Sequence, residues 1–322
     1  MNIDSIYTLI SDDMKQVNAT ILKRLQSEIE LINQVGTHII NSGGKRLRPV
    51  IHLLCARAID YSGSQHIDIA AIIEFIHTAT LLHDDVVDAS NLRRGQETAN
   101  SLWGNEASVL VGDFLYSRAF QMMVDVGDMQ IMSILANATN TIAEGEVQQL
   151  LNVHDPETTE QRYLDVIHNK TAKLFESASE LAAILGQQDS EAQQAMAKYG
   201  MHLGTAFQLI DDVLDYSASS EEMGKNVGDD LAEGKPTLPL IYTMQKGNDQ
   251  QKTLIRDVIE TGGRERIDEV KSALADTGAL EYTEQTARSE VSKAIECLAV
   301  LPDTIYKEAL HALAEFSVNR TC

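Results

Sequence analysis

The chain is short of proline, cysteine, aromatic residues and basic residues, and each shortage removes a class of protein. Five prolines in 322 residues leave no proline-rich linker, and no fixed-period repeat or low-complexity stretch divides the chain. The three cysteines, Cys55, Cys297 and Cys322, lie far apart. They form neither a disulfide framework nor a metal-ligand spacing, and they read as reduced thiols. Only 26 basic residues stand against 48 acidic ones, a net charge of −22. That balance argues against nonspecific nucleic-acid binding, which needs clustered cations to neutralise phosphate. No apolar run reaches the length of a membrane span. Met1-Asn2-Ile3-Asp4 lacks the basic start and apolar stretch of a signal peptide, so the cytoplasm is the expected compartment.

What is present favours helix. Hydrophobic residues make up 43% of the chain, set in stretches rich in Ala, Leu, Glu and Gln, while alternating β-branched runs are scarce. The expectation is an all-α protein forming one large domain over residues 1–322. A first helix is expected over Ile6–Gln34, where Leu9, Ile10, Met14, Val17, Ile21, Leu22, Leu25, Ile29 and Ile32 recur at helical intervals. Further helices are expected around 50–60, 67–87, 99–126, 129–152, 158–186 and 190–216, then shorter ones from Leu238 onward. The segment 217–236, with Gly224, Gly228 and Gly234, reads as a lid or binding loop.

Two acidic clusters share one spacing. Asp84-Asp85-Val86-Val87-Asp88 and Asp211-Asp212-Val213-Leu214-Asp215 are both D-D-x-x-D, each after a mostly apolar helical run. Independent placement would give two such matches in roughly one chain in a hundred, so a purely accidental origin is disfavoured. On a helix the first and last aspartates point the same way, where like charges repel unless a cation compensates. Hard oxygen ligands in small number suit Mg²⁺, which shares its remaining positions with water and substrate phosphates. Three basic groups accompany the acids: Lys45, Arg46 and Arg48 in a glycine turn; Arg93-Arg94; and Lys225 with Lys235, with Lys170 and Lys173 in mid-chain. Arginine forks match phosphate oxygens, and lysine supplies a compact charge. Taken alone, each basic pair reads as ordinary surface charge; beside the acidic motifs they read as diphosphate clamps.

Gly43-Gly44-Lys45-Arg46-Leu47-Arg48-Pro49, Leu81 through Asp88 with Arg93-Arg94-Gly95, Phe207 through Asp215, and Gly234-Lys235-Pro236-Thr237-Leu238-Pro239 together resemble the signature motifs of trans-isoprenyl diphosphate synthases. The resemblance runs from about residue 40 to 245 in the family's order, and its long-chain bacterial members, which serve quinone side chains, are the nearest in pattern. It implies helices around a deep central cavity, a homodimer, and more than one Mg²⁺ per site. It further implies condensation of isopentenyl diphosphate with an allylic diphosphate, farnesyl diphosphate being the expected primer. Asp84, Asp88, Asp211 and Asp212 would hold the metal, with Asp85 supporting and Asp215 one step removed. Lys45, Arg48, His77 and Arg94 would grip isopentenyl diphosphate. Arg93, Lys170, Lys225 and Lys235 would hold the allylic diphosphate, and Thr171 and Gln208 would face the reacting carbons.

The growing product would run back along the first acidic helix past Thr80, Ala79 and Ile76, with a floor supplied by Phe120, Met122 or Met123. Small residues at 79 and 80 are equally what close helix packing uses. His77 on an apolar helix could instead be a core histidine, and Met122 and Met123 could be plain gap-fillers. A shorter-chain synthase, a terpene cyclase and a noncatalytic subunit of a heteromeric synthase are the alternatives. Both acidic motifs are intact, which cyclases and noncatalytic subunits tend not to retain. Contact with a membrane would be peripheral, at product release.

Overall fold

A computed structural model of the chain describes residues 1–217 and 228–320. It is all-α. The helices are α1 (Ile3–Leu9), α2 (Ser11–Leu25), α3 (Glu30–Asn41), α4 (Leu47–Ala58), α5 (Gln65–Val87), α6 (Ala99–Trp103), α7 (Asn105–Val126), α8 (Met129–Asn152), α9 (Glu160–Ile167), α10 (Lys173–Leu185) and α11 (Ser190–Ser217). After the second acidic motif come Asp229–Ala232, Leu238–Lys246, Asp249–Thr261, Ile267–Thr277, Ala279–Cys297 and Ile305–Asn319. The only strands among the described residues are β1 (Leu92–Arg93) and β2 (Gln96–Glu97), an antiparallel pair joining Leu92 to Glu97 and Arg93 to Gln96.

The expected first helix is three. Gln26 takes an extended backbone, with φ −54° and ψ 132°, and local side chains capture the freed backbone groups. Asn33 accepts from the Ser27 amide at 3.0 Å and donates to the Ser27 carbonyl at 2.9 Å. Serine and asparagine compete with the helix in this way, and an apolar period cannot register it. The expected helix over 99–126 is likewise two, because Gly104 sits at φ 86° between α6 and α7.

The chain forms two compact units. The first comprises Met1–Thr139, Leu174–Gly200 and Cys297–Leu313. Its centre is α5, which lies against α2, α4 and α7. Ile69, Ile72, Ile73, Ile76 and Leu82 of α5 are fully buried, as are Leu53 and Leu54 of α4 and Leu115 of α7. A helix hydrophobic nearly all round is a core helix, and this burial fixes the end of α5 that carries the first acidic motif.

The second unit comprises Asn140–Lys173, Met201–Glu296 and Ala314–Cys322. Tyr216, Leu231, Leu240, Ile255, Val258, Ile259, Val270 and Leu274 form a core in it. Tyr216 directly follows the second acidic motif, so packing of its ring anchors that end of α11. Between α9 and α10 the chain makes one π turn, His168–Ala172, a wide turn often found at functional sites. Gly145 of α8 admits it: a Cβ there would stand 2.7 Å from the Lys170 amide nitrogen.

Candidate active site

In the first unit, the segments bearing the expected isopentenyl diphosphate ligands bend through left-handed backbone. Gly43 and Gly44 have φ of 81° and 135°, and Arg46, which precedes α4, has φ 44°. A Cβ on Gly44 would run into the Arg94 guanidinium, so glycine is what lets that side chain lie across the turn. Arg94 and Gly95, with φ of 53° and 75°, form the two-residue connection of β1 and β2, a hairpin geometry that needs positive φ at both positions. The hairpin carries the Arg94 guanidinium to the Gly43 carbonyl, to which it donates. Tyr7 donates to the Lys45 carbonyl.

Arg48 donates from Nη1 to Nε2 of His77 at 3.1 Å and stacks over the Phe175 ring, 4.4 Å from its centre. A histidine accepting at Nε2 is neutral, and burial together with Arg48 and Arg94 holds its pKa well below 6.5. Glu74, one helical turn before His77, carried no sequence signal. Its Oε2 is buried without a hydrogen-bond partner; burial pushes its pKa up, opposed by Arg46, Arg48 and Arg94.

The first acidic motif ends α5. The Asp88 amide donates to the Asp84 carbonyl at 2.8 Å, so the two aspartates stand one turn apart and both are half-buried. Asp85 points inward with no exposed surface. Arg93 donates to its Oδ1 from Nε at 2.8 Å and Nη2 at 2.7 Å, while Oδ2 is buried without a partner. Arg93, expected on the allylic diphosphate, thus grips the motif's own second aspartate.

The second unit repeats the pattern. Asp211 is 41% exposed, whereas Asp212 is 2% exposed. Tyr163 of α9 donates to Asp212 Oδ2 at 2.5 Å, and Gln208 donates to its Oδ1 at 3.0 Å. Burial and the nearby Asp230 push the Asp212 pKa well above the usual range. Both oxygens of Asp212 are thus engaged inside the protein, and Asp211 is the more exposed acid of the pair. Asp215 is buried and accepts from the Asp229 amide at 3.3 Å. Thr171, on the π turn, donates to Gln208 Oε1 at 3.2 Å, so Thr171, Gln208, Asp212 and Tyr163 form one hydrogen-bonded chain.

Lys170 sits between Glu146, at 2.6 Å, and Gln149, at 2.7 Å, and Lys235 pairs with Glu233. Lys225 and Gly224 lie outside the described residues. Sequence reasoning did not find Tyr163, Glu74 or Arg320, which bonds Asp211 at 2.6 Å; none carries a motif or a period of its own.

Among the chain-length candidates, Ala79 and Ile76 have no accessible surface and Met123 is 1% exposed. Thr80 is half-buried, and Phe120 is exposed on the surface of α7 in this chain. A cleft of about 410 Å³ in the second unit, lined by Pro156, Thr159, Ile241, Met244, Lys252 and Arg256, contains none of the motif residues.

No group of three or more His, Cys, Asp or Glu side chains among the described residues forms a ready cage for a metal ion. The donors that are present nonetheless fit Mg²⁺, which is held by one or two carboxylates and completes its shell from substrate phosphates and water. In the first unit Asp84 and Asp88 are such donors, with the orphaned Oδ2 of Asp85 between them in sequence; in the second unit Asp211 is one.

The sequence profile of the polyprenyl synthetase family matches residues 29–277. The chain is 54% identical to octaprenyl diphosphate synthase of Escherichia coli (strain K12) over 321 residues, 99% of each chain. It is 45% identical to an all-trans-nonaprenyl-diphosphate synthase (geranyl-diphosphate specific) of Rhodobacter capsulatus, over 97% of this chain and 96% of that one. A crystal structure of polyprenyl synthase from Caulobacter crescentus, complexed with calcium and isoprenyl diphosphate, superposes with a TM-score of 0.96 at 42% identity, covering 100% of this chain and 98% of that one. The chain belongs to the polyprenyl synthetase family and has its all-α isoprenoid-synthase fold.

Proposed function

We propose that this prenyltransferase condenses isopentenyl diphosphate with an allylic diphosphate to make a long-chain trans-polyprenyl diphosphate, farnesyl to octaprenyl diphosphate, for quinone side chains. The observation that carries the reading is the repeated posture of the two acidic motifs. In each, the second aspartate turns into the protein and is gripped there, Asp85 by Arg93 and Asp212 by Tyr163 and Gln208. The first faces outward on a fixed helix. The relative 54% identical over its whole length is named an octaprenyl diphosphate synthase, which supports the product length.

Mg²⁺, when bound, neutralises the departing diphosphate and lowers the barrier to C–O cleavage. Asp84 and Asp88 would hold one such ion and Asp211 with Asp212 a further one, and a calcium-bound relative supports a divalent ion. Arg48, Arg94, Lys45 and His77 bind the isopentenyl diphosphate. Arg93, Lys170, Lys225 and Lys235 bind the allylic diphosphate, and Thr171 and Gln208 line the reacting carbons. Positioning and electrostatics supply the rate; no nucleophilic serine or cysteine is needed. The proton lost after condensation passes to released diphosphate. A closing role for the segment 217–236 would keep water from the cation.

The whole chain acts as one polyprenyl synthase domain, and it works as a homodimer in the cytoplasm. Exposed Val109, Leu110, Phe120 and Val124 on α7 support a partner surface, since apolar side chains crowded on one helix mark interaction sites. No helix among the described residues is long and apolar enough to cross a membrane, and product leaves through peripheral membrane contact.

Incubating the purified chain with farnesyl diphosphate, labelled isopentenyl diphosphate and magnesium tests the reading. Long linear products uphold it. Products of fifteen or twenty carbons would make it a shorter-chain synthase, cyclic hydrocarbons a cyclase, and no turnover a noncatalytic subunit, about what the family's chemistry allows.

A further inference from the structure

We propose that Arg320 is a positioning residue for the second acidic motif, holding one oxygen of Asp211 so that the other is presented to the metal. The inference rests on the reading of Asp211 as a magnesium ligand. Arg320 follows the last helix, 109 residues from Asp211 in sequence, and belongs to none of the motifs. Its side chain is 5% exposed.

Four contacts fix it. Nη2 donates to the Phe207 carbonyl at 2.8 Å and to Asp211 Oδ1 at 2.6 Å. Nε donates to the Ser317 carbonyl at 3.2 Å. The guanidinium plane lies over the Phe207 ring, 3.8 Å from its centre. Three of these contacts do not involve Asp211, so the cation is held in place independently of the acid it grips. Phe207 lies one turn before Asp211 on α11, which makes the ring and its carbonyl a platform aligned with the motif.

Asp211 is 41% exposed even while so held, and only Oδ1 is engaged by Arg320. The carboxylate is therefore locked in one orientation with an oxygen left outward. Mg²⁺ demands well-ordered geometry and takes carboxylates one oxygen at a time beside retained waters. Hydrogen bonds that orient a ligating carboxylate typically carry a 10- to 100-fold share of metal affinity. Arg320 supplies such a bond, and the planar fork stacked on a ring is something lysine reproduces only in part.

The test is calorimetric titration of Mg²⁺ into the full chain with inorganic diphosphate present, alongside thermal unfolding without metal. Arg320→Ala should weaken apparent magnesium affinity by roughly 10- to 100-fold, and Arg320→Lys should recover part of the loss. Arg320→Ala combined with Asp211→Ala should bind no more weakly than Asp211→Ala alone, because residues acting through one another are not additive. If Asp211→Ala weakens binding but Arg320→Ala and Arg320→Lys leave it unchanged or tighter, this inference is overturned while the metal reading stands. Should Arg320→Ala lower only the unfolding midpoint, the role is structural and the inference is again overturned. If Asp211→Ala leaves magnesium binding unaltered, the metal reading of Asp211 and this inference fall together.

Discussion

Tyr163 and Asp212, separated by 49 residues, are joined by a hydrogen bond of 2.5 Å inside the second unit. Both are buried, so the phenol is the partner of Asp212 Oδ2 where water has little access. Tyr163→Phe leaves that oxygen buried and unpartnered, a loss of about 1–3 kcal/mol. Urea unfolding should show this destabilisation, and catalysis should fall as the second motif loosens. An unchanged midpoint and rate in Tyr163→Phe would mean that the bond contributes nothing.

Asp84→Ala and Asp211→Ala remove outward acids from helix ends crowded with like charge. Relief of repulsion should leave Asp84→Ala equal or slightly higher in stability, whereas Asp211→Ala strands the buried Arg320 guanidinium and should lower it. Turnover should drop by several orders of magnitude, because stabilisation of the leaving group is lost. Steady-state assays at ordinary magnesium decide it, and near-normal rates for Asp84→Ala would refute its assignment.

Gly44→Ala should disturb the isopentenyl diphosphate clamp from behind. The position has φ 135°, and an added Cβ meets the Arg94 guanidinium. A strained backbone of this kind costs on the order of 1–3 kcal/mol. The expected outcome is a higher KM for isopentenyl diphosphate with less change for the allylic substrate. An equal rise for both would place Arg94 elsewhere in the reaction.

Stability should fall on mild acidification in a manner traceable to His52. Its Nδ1 donates to the Ala178 carbonyl at 2.8 Å, Nε2 is buried without a partner, and burial lowers its pKa to about 4. The unfolded chain takes up a proton near the ordinary value of about 6.5, but the folded chain cannot until about 4. Stability is thus fully present above 6.5 and is lost as pH falls through this window, by about 2 kcal/mol near pH 5. Comparing the wild type with His52→Leu between pH 7 and pH 5 isolates the effect; parallel losses in the two proteins would contradict it.

Chain length can be probed at two neighbouring positions that burial separates. Ala79 has no accessible surface, so a tyrosine there must displace packed neighbours, at about 1–3 kcal/mol or more. Thr80 is half-buried, so a ring there displaces fewer packed neighbours. Thr80→Tyr should remain folded and give shorter products, whereas Ala79→Tyr should lose stability and activity. A folded, active Thr80→Tyr with an unaltered product ladder would remove Thr80 from the path of the growing chain.

The sequence by itself determined the helical class, the two acidic motifs and the cations beside them. These are local signals: an apolar period of 3.6 residues, a D-D-x-x-D spacing within one turn, glycines where the backbone must turn. Where a short-range competitor to helix was present, as at Ser27 and Asn33, the period ran on through a break that side-chain hydrogen bonds impose.

Only the tertiary structure decided which aspartate of each motif faces out and what grips the other. Two adjacent aspartates differ by about 100° around a helix, so one or the other turns inward, and neighbouring helices settle which. Asp212 is claimed by Tyr163 from α9, and Asp211 by Arg320 from beyond the last helix. Such partners are buried polar groups satisfied across long sequence separations, where chain folding brings donor to acceptor and no spacing in the sequence records the meeting.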